Sequence, residues 1–219
     1  MSKIRYVSEA APPWGTPIDL ALADLYARSA AMGLVDARHA GATSPDAPGL
    51  SRLLKSLQQH GIGGDGVRTL APLLQAQAAT PDADTERALA QGLQRLAEAL
   101  EDSAAPAAEW PAMRAVFGDE LLGELLAVSP ASLRRYAGQE RATPQEVAER
   151  LHWLALVVAD LAGAYNDFGM RRWFERPRSQ LGGKSPRQVL GRRWSVDGEG
   201  ALRVRTLASV LRGANPLAA

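Results

Sequence analysis

The chain has 219 residues, enough for one large domain or two small ones with a real core. Hydrophobic residues make up 46% but aromatics only 5%, with alanine and leucine carrying much of the apolar content, so an all-α fold is expected rather than sheets. There is no cysteine, which excludes disulfides, thiolate metal sites and a cysteine nucleophile, and the net charge of +1 conceals an asymmetry: residues 1–110 hold 9 Lys/Arg against 13 Asp/Glu, and residues 111–219 hold 16 against 11.

Residues 1–15, with Pro12 and Pro13, read as an extended arm without the apolar run of a signal peptide. Nowhere do about 18 apolar residues stand together as a membrane span needs, so a soluble cytoplasmic protein is expected. Thr16 and Pro17 supply an N-cap and a first helical position, and Ile18, Leu22, Leu25 and Tyr26 mark one face of a helix to about Leu34. Residues 36–49 contain Gly41, Pro45, Pro48 and Gly49 and read as a loop. From Leu50 to His60 the pattern is amphipathic, with Leu50, Leu53, Leu54 and Leu57, and Gly61 is placed to end the helix in the left-handed conformation. Residues 61–66 are glycine-rich and precede a helix, yet no strand leads in and no Gly-Lys-Ser/Thr comes after. Asp65 would also repel a phosphate, so the segment reads as a turn. A helix over 67–79, bent near Pro72, and a new start at Thr80 and Pro81 come next. Leu89, Leu93, Leu96 and Leu100 then recur at 4-3-4 spacing, a stripe suited to packing inside the domain or against a second copy.

Residues 103–109 are small, polar and proline-bearing, and are taken as the boundary of an N-terminal region, 1–109. Trp110 and Pro111 start a short helix through Met113, Val116 and Phe117 that Gly118 closes. Residues 119–141 then read as a helix-turn-helix. Leu121, Leu122, Leu125 and Leu126 recur at helical spacing, Gly123 sits where two helices would cross, and residues 127–129 make the turn. Ser129 is an N-cap with Pro130 at the first helical position, Leu133 and Tyr136 face inward, and Ser132, Arg134 and Arg135 point outward. The candidate DNA-reading set is Ser129, Ser132, Arg134, Arg135, Gln139 and Arg141.

Thr143 and Pro144 form another cap and first-position pair before the longest apolar pattern of the chain, Val147, Leu151, Leu154, Val158, Leu161 and Tyr165. Trp153, Leu156 and Val157 widen it, so this helix belongs in the core or in a dimer interface, and a homodimer would suit paired DNA half-sites. Residues 171–193 then carry eight Lys/Arg against Glu175 alone, a local +7 able to attract a phosphate backbone or an acidic partner. His39, His60 and His152 stand far apart with no second ligand at helical spacing, and no carboxylate pair or Ser/His/Asp set declares itself. No catalytic residue, cofactor or metal is therefore assigned, and His152 reads as a satisfied core histidine.

The turn at Ala127, Val128 and Ser129, with Ser132 to Tyr136 after it, resembles the Xre-type helix-turn-helix of phage-repressor-like regulators, and residues 138–144 resemble the segment just after their recognition helix. Further on, Trp173, Pro177, the Leu181-Gly182 turn, Ser185 and Pro186 opening a helix that ends at Leu190, and a closing helix with Val204, Leu207, Val210 and Leu211 before Arg212 and Gly213 resemble the toxin-binding domain of Xre/MbcA/ParS-type antitoxins. The resemblance covers about residues 112–213. It implies a helix-turn-helix at 110–143 and a toxin-binding domain at 144–219. It also implies a type II antitoxin that neutralises a toxin protein, usually a RES-domain toxin that consumes NAD, and represses its own operon by binding the double-stranded DNA of its own promoter. Carried over, the partner-binding set is Arg171, Arg172, Trp173, Arg176, Pro177, Arg178, Leu181 and Lys184, with Trp173, Pro177 and Leu181 shaping the fold and the basic side chains on its rim. Antitoxins of this kind usually begin close to the helix-turn-helix, whereas here residues 1–109 come first. The alternatives are a stand-alone helix-turn-helix regulator or DNA-architectural protein, and a helical scaffold with no DNA role.

Overall fold

Leucine stripes at helical spacing build the first half of the molecule. The computed structural model describes residues 16–36, 47–64, 66–68, 70 and 83–213. The expected arm at 1–15, most of the loop after Asp36, the helix beyond Leu70 and the start at Thr80 and Pro81 lie outside the described residues. The fold is all-α, and among the described residues the only strand-like pairing is an isolated antiparallel bridge between Arg178 and Lys184.

Helix α1 (Thr16–Ala31) buries Ile18, Leu22, Leu25 and Tyr26, and α2 (Ala47–Gln59) buries Leu50, Leu53, Leu54 and Leu57. Helix α2 starts three residues before Leu50, because Pro48 and Gly49 fall in a first turn whose N–H groups have no partner within the helix. Gly61, with φ of 70°, ends the next turn. The Gly61 N–H donates to Gln58 and that of Ile62 donates back to Leu57, closing the left-handed cap that the sequence predicts. Gly63 is needed for packing: a Cβ there would lie 2.3 Å from Leu96 Cδ2. Helix α3 (Ala83–Glu101) fully buries Leu89, Leu93, Leu96 and Leu100 against the same chain, with α1 as its principal neighbour.

Helix α4 (Pro106–Leu126) begins four residues before Trp110 and is two helices joined at Gly118, whose φ of 71° and ψ of 166° break the hydrogen-bond ladder. The helix expected to close at Gly118 does so, and the next begins at once. Helices α5 (Pro130–Ala137) and α6 (Gln145–Leu161) come after it. Thr143 does not cap α6. Its hydroxyl accepts the Trp110 indole N–H at 3.0 Å, and Pro144 takes the cap position, its carbonyl accepting the N–H groups of Val147 and Ala148. Residues 150–161 are buried without exception, enclosed by α1, α4 and α9 (Glu199–Gly213) of the same chain. Helix α6 ends at Leu161, short of Tyr165. Exposed Ala162, Gly163 and Ala164 turn the chain, and the Asn166 side chain caps α7 (Asp167–Glu175) by accepting the Gly169 N–H at 2.9 Å. A 3-10 turn (Ser179–Leu181) and α8 (Pro186–Leu190) lead to α9. The face that α9 turns inward is Ala201, Val204 and Ala208, whose small side chains permit a close approach. Val210 lies on the opposite side and is 64% exposed.

A polar seam ties these helices together through residues that the sequence assigns to a boundary. Glu109 is fully buried and its carboxylate lies 2.6 Å from His152 Nδ1, while His152 Nε2 faces the Glu101 carbonyl at 2.9 Å. Both ring nitrogens face oxygen atoms, an arrangement that favours the doubly protonated ring. Burial alone would push His152 down, but the hydrogen bond and charge of Glu109, with the Glu101 carbonyl, hold it above its ordinary value. Around this pair, Arg28 bonds Asp24 at 2.9 Å and also Glu101, and Arg205 bonds Asp160 at 2.8 Å and Glu101 at 3.3 Å.

Candidate nucleic-acid interface and its basic flank

The hairpin at 119–137 is built by two small residues and one cap. Gly123 is where the helices meet, since a Cβ there would stand 3.3 Å from the Val128 carbonyl oxygen and 3.7 Å from Leu133 Cδ1. Ala127 takes the left-handed conformation (φ 56°, ψ 38°), so that its N–H reaches Glu124 and the Val128 N–H reaches Gly123. The Ser129 hydroxyl accepts the Ser132 N–H at 3.2 Å and starts α5 with Pro130 at its first position. Leu133 and Tyr136 are the buried anchors of α5, and the Tyr136 ring lies 6.2 Å from that of Trp110.

That construction divides the six candidate DNA-facing residues. Arg134 and Arg135 are exposed and, among the described residues, form no ion pair. Gln139 is exposed, with φ of 58°, in the turn after α5. Arg141 is exposed, with its guanidinium 5.9 Å from the Tyr136 ring centre. Ser129 and Ser132 are engaged with each other, their hydroxyls 3.0 Å apart. Their first duty is the cap.

The eight partner-binding candidates also divide. Arg172, Arg176, Pro177 and Lys184 are exposed, while Trp173 and Leu181 are enclosed, at 1% and 3% exposure, and act from within. Arg171 turns back onto α4, donating to the Val116 carbonyl and, at 3.0 Å, to that of Ala115. These are carbonyls that the break at Gly118 leaves without helical partners, so Arg171 completes a helix end. Arg178 is half-buried, with its guanidinium 5.1 Å from the Trp173 ring centre and its backbone bridged to Lys184. Ser185 and Gln188 form the capping box of α8, at the helix start that the Ser-Pro text marks.

Sequence reasoning missed the residues that clamp the hairpin from behind. Trp194 Nε1 donates to the Leu125 carbonyl at 2.7 Å, and buried Arg150 donates to the Trp194 carbonyl at 2.8 Å and to that of Leu126 at 3.4 Å. The carbonyls freed at the end of α4 are thus held by residues from α6 and from the loop before α9. The one signal in the sequence is an arginine inside a helix otherwise apolar nearly all round. Beside this clamp lies a groove of about 540 Å³, bounded by the hairpin on one side and by Arg187, Gln188, Gly191 and Arg192 on the other. Arg187 crosses it to pair with Glu124 at 2.8 Å. On the same wall Asp119 is held below the usual carboxylate range by its hydrogen bonds from Arg114, at 2.7 and 2.9 Å.

Among the described residues no group of three or more His, Asp and Glu side chains is placed to hold a metal ion, and no helix is long and apolar enough to cross a membrane. Comparison of the chain with protein-family models, curated proteins and solved structures finds no match in any of the three.

Proposed function

We propose that this chain is a DNA-binding antitoxin. It would read its own promoter through the hairpin at 119–141 and neutralise a toxin protein, of RES type, through the segment from α7 to α8. The observation that carries the DNA reading is the hairpin itself: a left-handed turn packed at Gly123, a serine-capped second helix anchored by Leu133 and Tyr136, and two exposed arginines on its outer face without ion partners among the described residues. The partner reading rests on the resemblance of residues 144–219 to the toxin-binding domain of Xre/MbcA/ParS-type antitoxins, and is supported by exposed Arg172, Arg176 and Lys184 and an enclosed Trp173. The protein itself has no catalytic role in this scheme. A homodimer placing two hairpins on successive half-sites is the expected assembly.

One observation favours a stand-alone regulator instead. Helix α1 packs along α6, covering part of the module to which the antitoxin reading assigns the partner. The two readings separate when the adjacent reading frame is expressed alone and with this chain. Growth arrest relieved by co-expression, together with co-purification, supports the antitoxin. A harmless neighbour that does not co-purify defeats the toxin half and leaves the regulator.

A further inference from the structure

The hairpin is a poor phosphate binder by its own charge. Residues 119–141 carry Asp119, Glu120, Glu124 and Glu140 against Arg134, Arg135 and Arg141, a net −1. Three of the four acids lie on the first helix, the element that crosses the DNA backbone in a helix-turn-helix. Unrelieved, they would repel phosphate at the closest approach. The structure relieves two of them from outside the motif, Asp119 by Arg114 and Glu124 by Arg187.

Beyond Arg187, the loop holding Arg192 and Arg193 is fixed beside the hairpin by the Trp194 indole on the Leu125 carbonyl and by Arg150 on the Trp194 carbonyl. Arg192 lines the same groove as Val128 and Pro130, across from the N-terminal end of α5, the end that enters the major groove. Both arginines are exposed and neither forms an ion pair among the described residues.

We infer that Arg192 and Arg193 are phosphate-positioning residues of the same DNA interface, so that the clamp loop after α8 supplies the backbone charge which the hairpin lacks. This rests on the DNA reading above. The basic run at 171–193 is accordingly divided: Arg171 and Arg178 are held by the fold, Arg187 is paired with Glu124, Arg172, Arg176 and Lys184 are exposed away from any ion pair among the described residues, and Arg192 and Arg193 flank the hairpin.

The test uses the full chain, R192A/R193A and R192E/R193E, titrated against two duplexes of equal length, one carrying the region upstream of the chain's own reading frame and one scrambled. Because phosphate contacts carry no sequence information, R192A/R193A should weaken binding to both duplexes alike. Its salt slope should fall by about 2, so that raising salt from about 50 to 200 mM costs it about tenfold less affinity than it costs the wild type. The charge-reversed variant should bind weaker still, with melting of both variants unchanged. Wild-type affinity and slope in both variants would overturn the inference while leaving the DNA reading intact. Failure of the wild-type chain to bind either duplex at low salt would end both. Full DNA binding combined with lost co-purification of the neighbouring gene product would reassign the loop to a protein partner.

Discussion

The hairpin at 119–141 and the seam around His152 both concentrate charge, but they use it in opposite ways. In the seam, Arg28, Arg205 and His152 are matched to Asp24, Glu101, Asp160 and Glu109, and the pairs join α1, α3, α4, α6 and α9. In the hairpin, Leu133 and Tyr136 do the anchoring while Arg134 and Arg135 remain in solvent without ion partners among the described residues. Charge satisfied inside the chain is structural, and charge left unsatisfied on an ordered helix is available to another molecule. Arg171 shows why the distinction requires coordinates, since it sits in the most basic stretch of the sequence yet completes a broken helix.

The seam is where the largest stability effects should lie. His152→Ala leaves the Glu109 carboxylate buried without its cation and should cost about 3 kcal/mol, read as a lowered denaturant midpoint at unchanged slope. A drop well under 1 kcal/mol would mean that the seam does not hold the helices together. The pair also sets a pH dependence. His152 is raised in the fold, so its contribution is complete below the unfolded value of about 6.5 and is lost as pH rises through the folded value. The wild type should therefore lose stability as pH rises above about 6.5 more steeply than His152→Gln.

Leu133→Ala removes a fully buried anchor and should cost about 2 to 3 kcal/mol, melting the hairpin and with it the proposed DNA binding. Arg171→Ala should cost about 1 kcal/mol through the hydrogen bonds it removes at the helix break. If that variant kept its stability and lost only co-purification of the neighbouring gene product, Arg171 would return to the proposed partner surface. The smallest effect has the opposite sign: Ala127→Gly, at φ 56°, should stabilise the chain by about 0.5 kcal/mol, because glycine accepts the left-handed turn without the Cβ penalty.

The features legible in the sequence are local. The leucine stripes of α1 to α3, the Gly61 cap, the Ser129 and Ser185 caps, the crossing at Gly123 and the inward Leu133 and Tyr136 all arise from spacing within one or two turns, where backbone chemistry decides. The hidden features depend on partners far apart in the chain. Arg150 and Trp194 are 44 residues apart, and Trp194 and Leu125 are 69 apart, so neither arm of the clamp has a local signature. Residues 103–109 read as a boundary because alanine, serine and proline there look like linker composition, yet Ala105 and Glu109 are buried and Pro106 opens a helix. Thr143 has the local text of a cap, but Trp110, 33 residues away, takes its hydroxyl. The outward turn of Val210 is hidden too, because alanines at 201 and 208 give a closer inner face than an apolar pattern reveals.

The contrast between spent and available charge is tested most directly by fluorescence anisotropy of the full chain and of R134A/R135A on a labelled duplex from upstream of its own reading frame, at graded salt. Both proteins should melt alike, the wild type should bind that duplex in preference to a scrambled one, and the double variant should lose the preference together with at least about tenfold in affinity. Equal affinity and equal preference in the two proteins, or no binding by the wild type at low salt, would contradict the assignment of the hairpin as the surface that reads DNA.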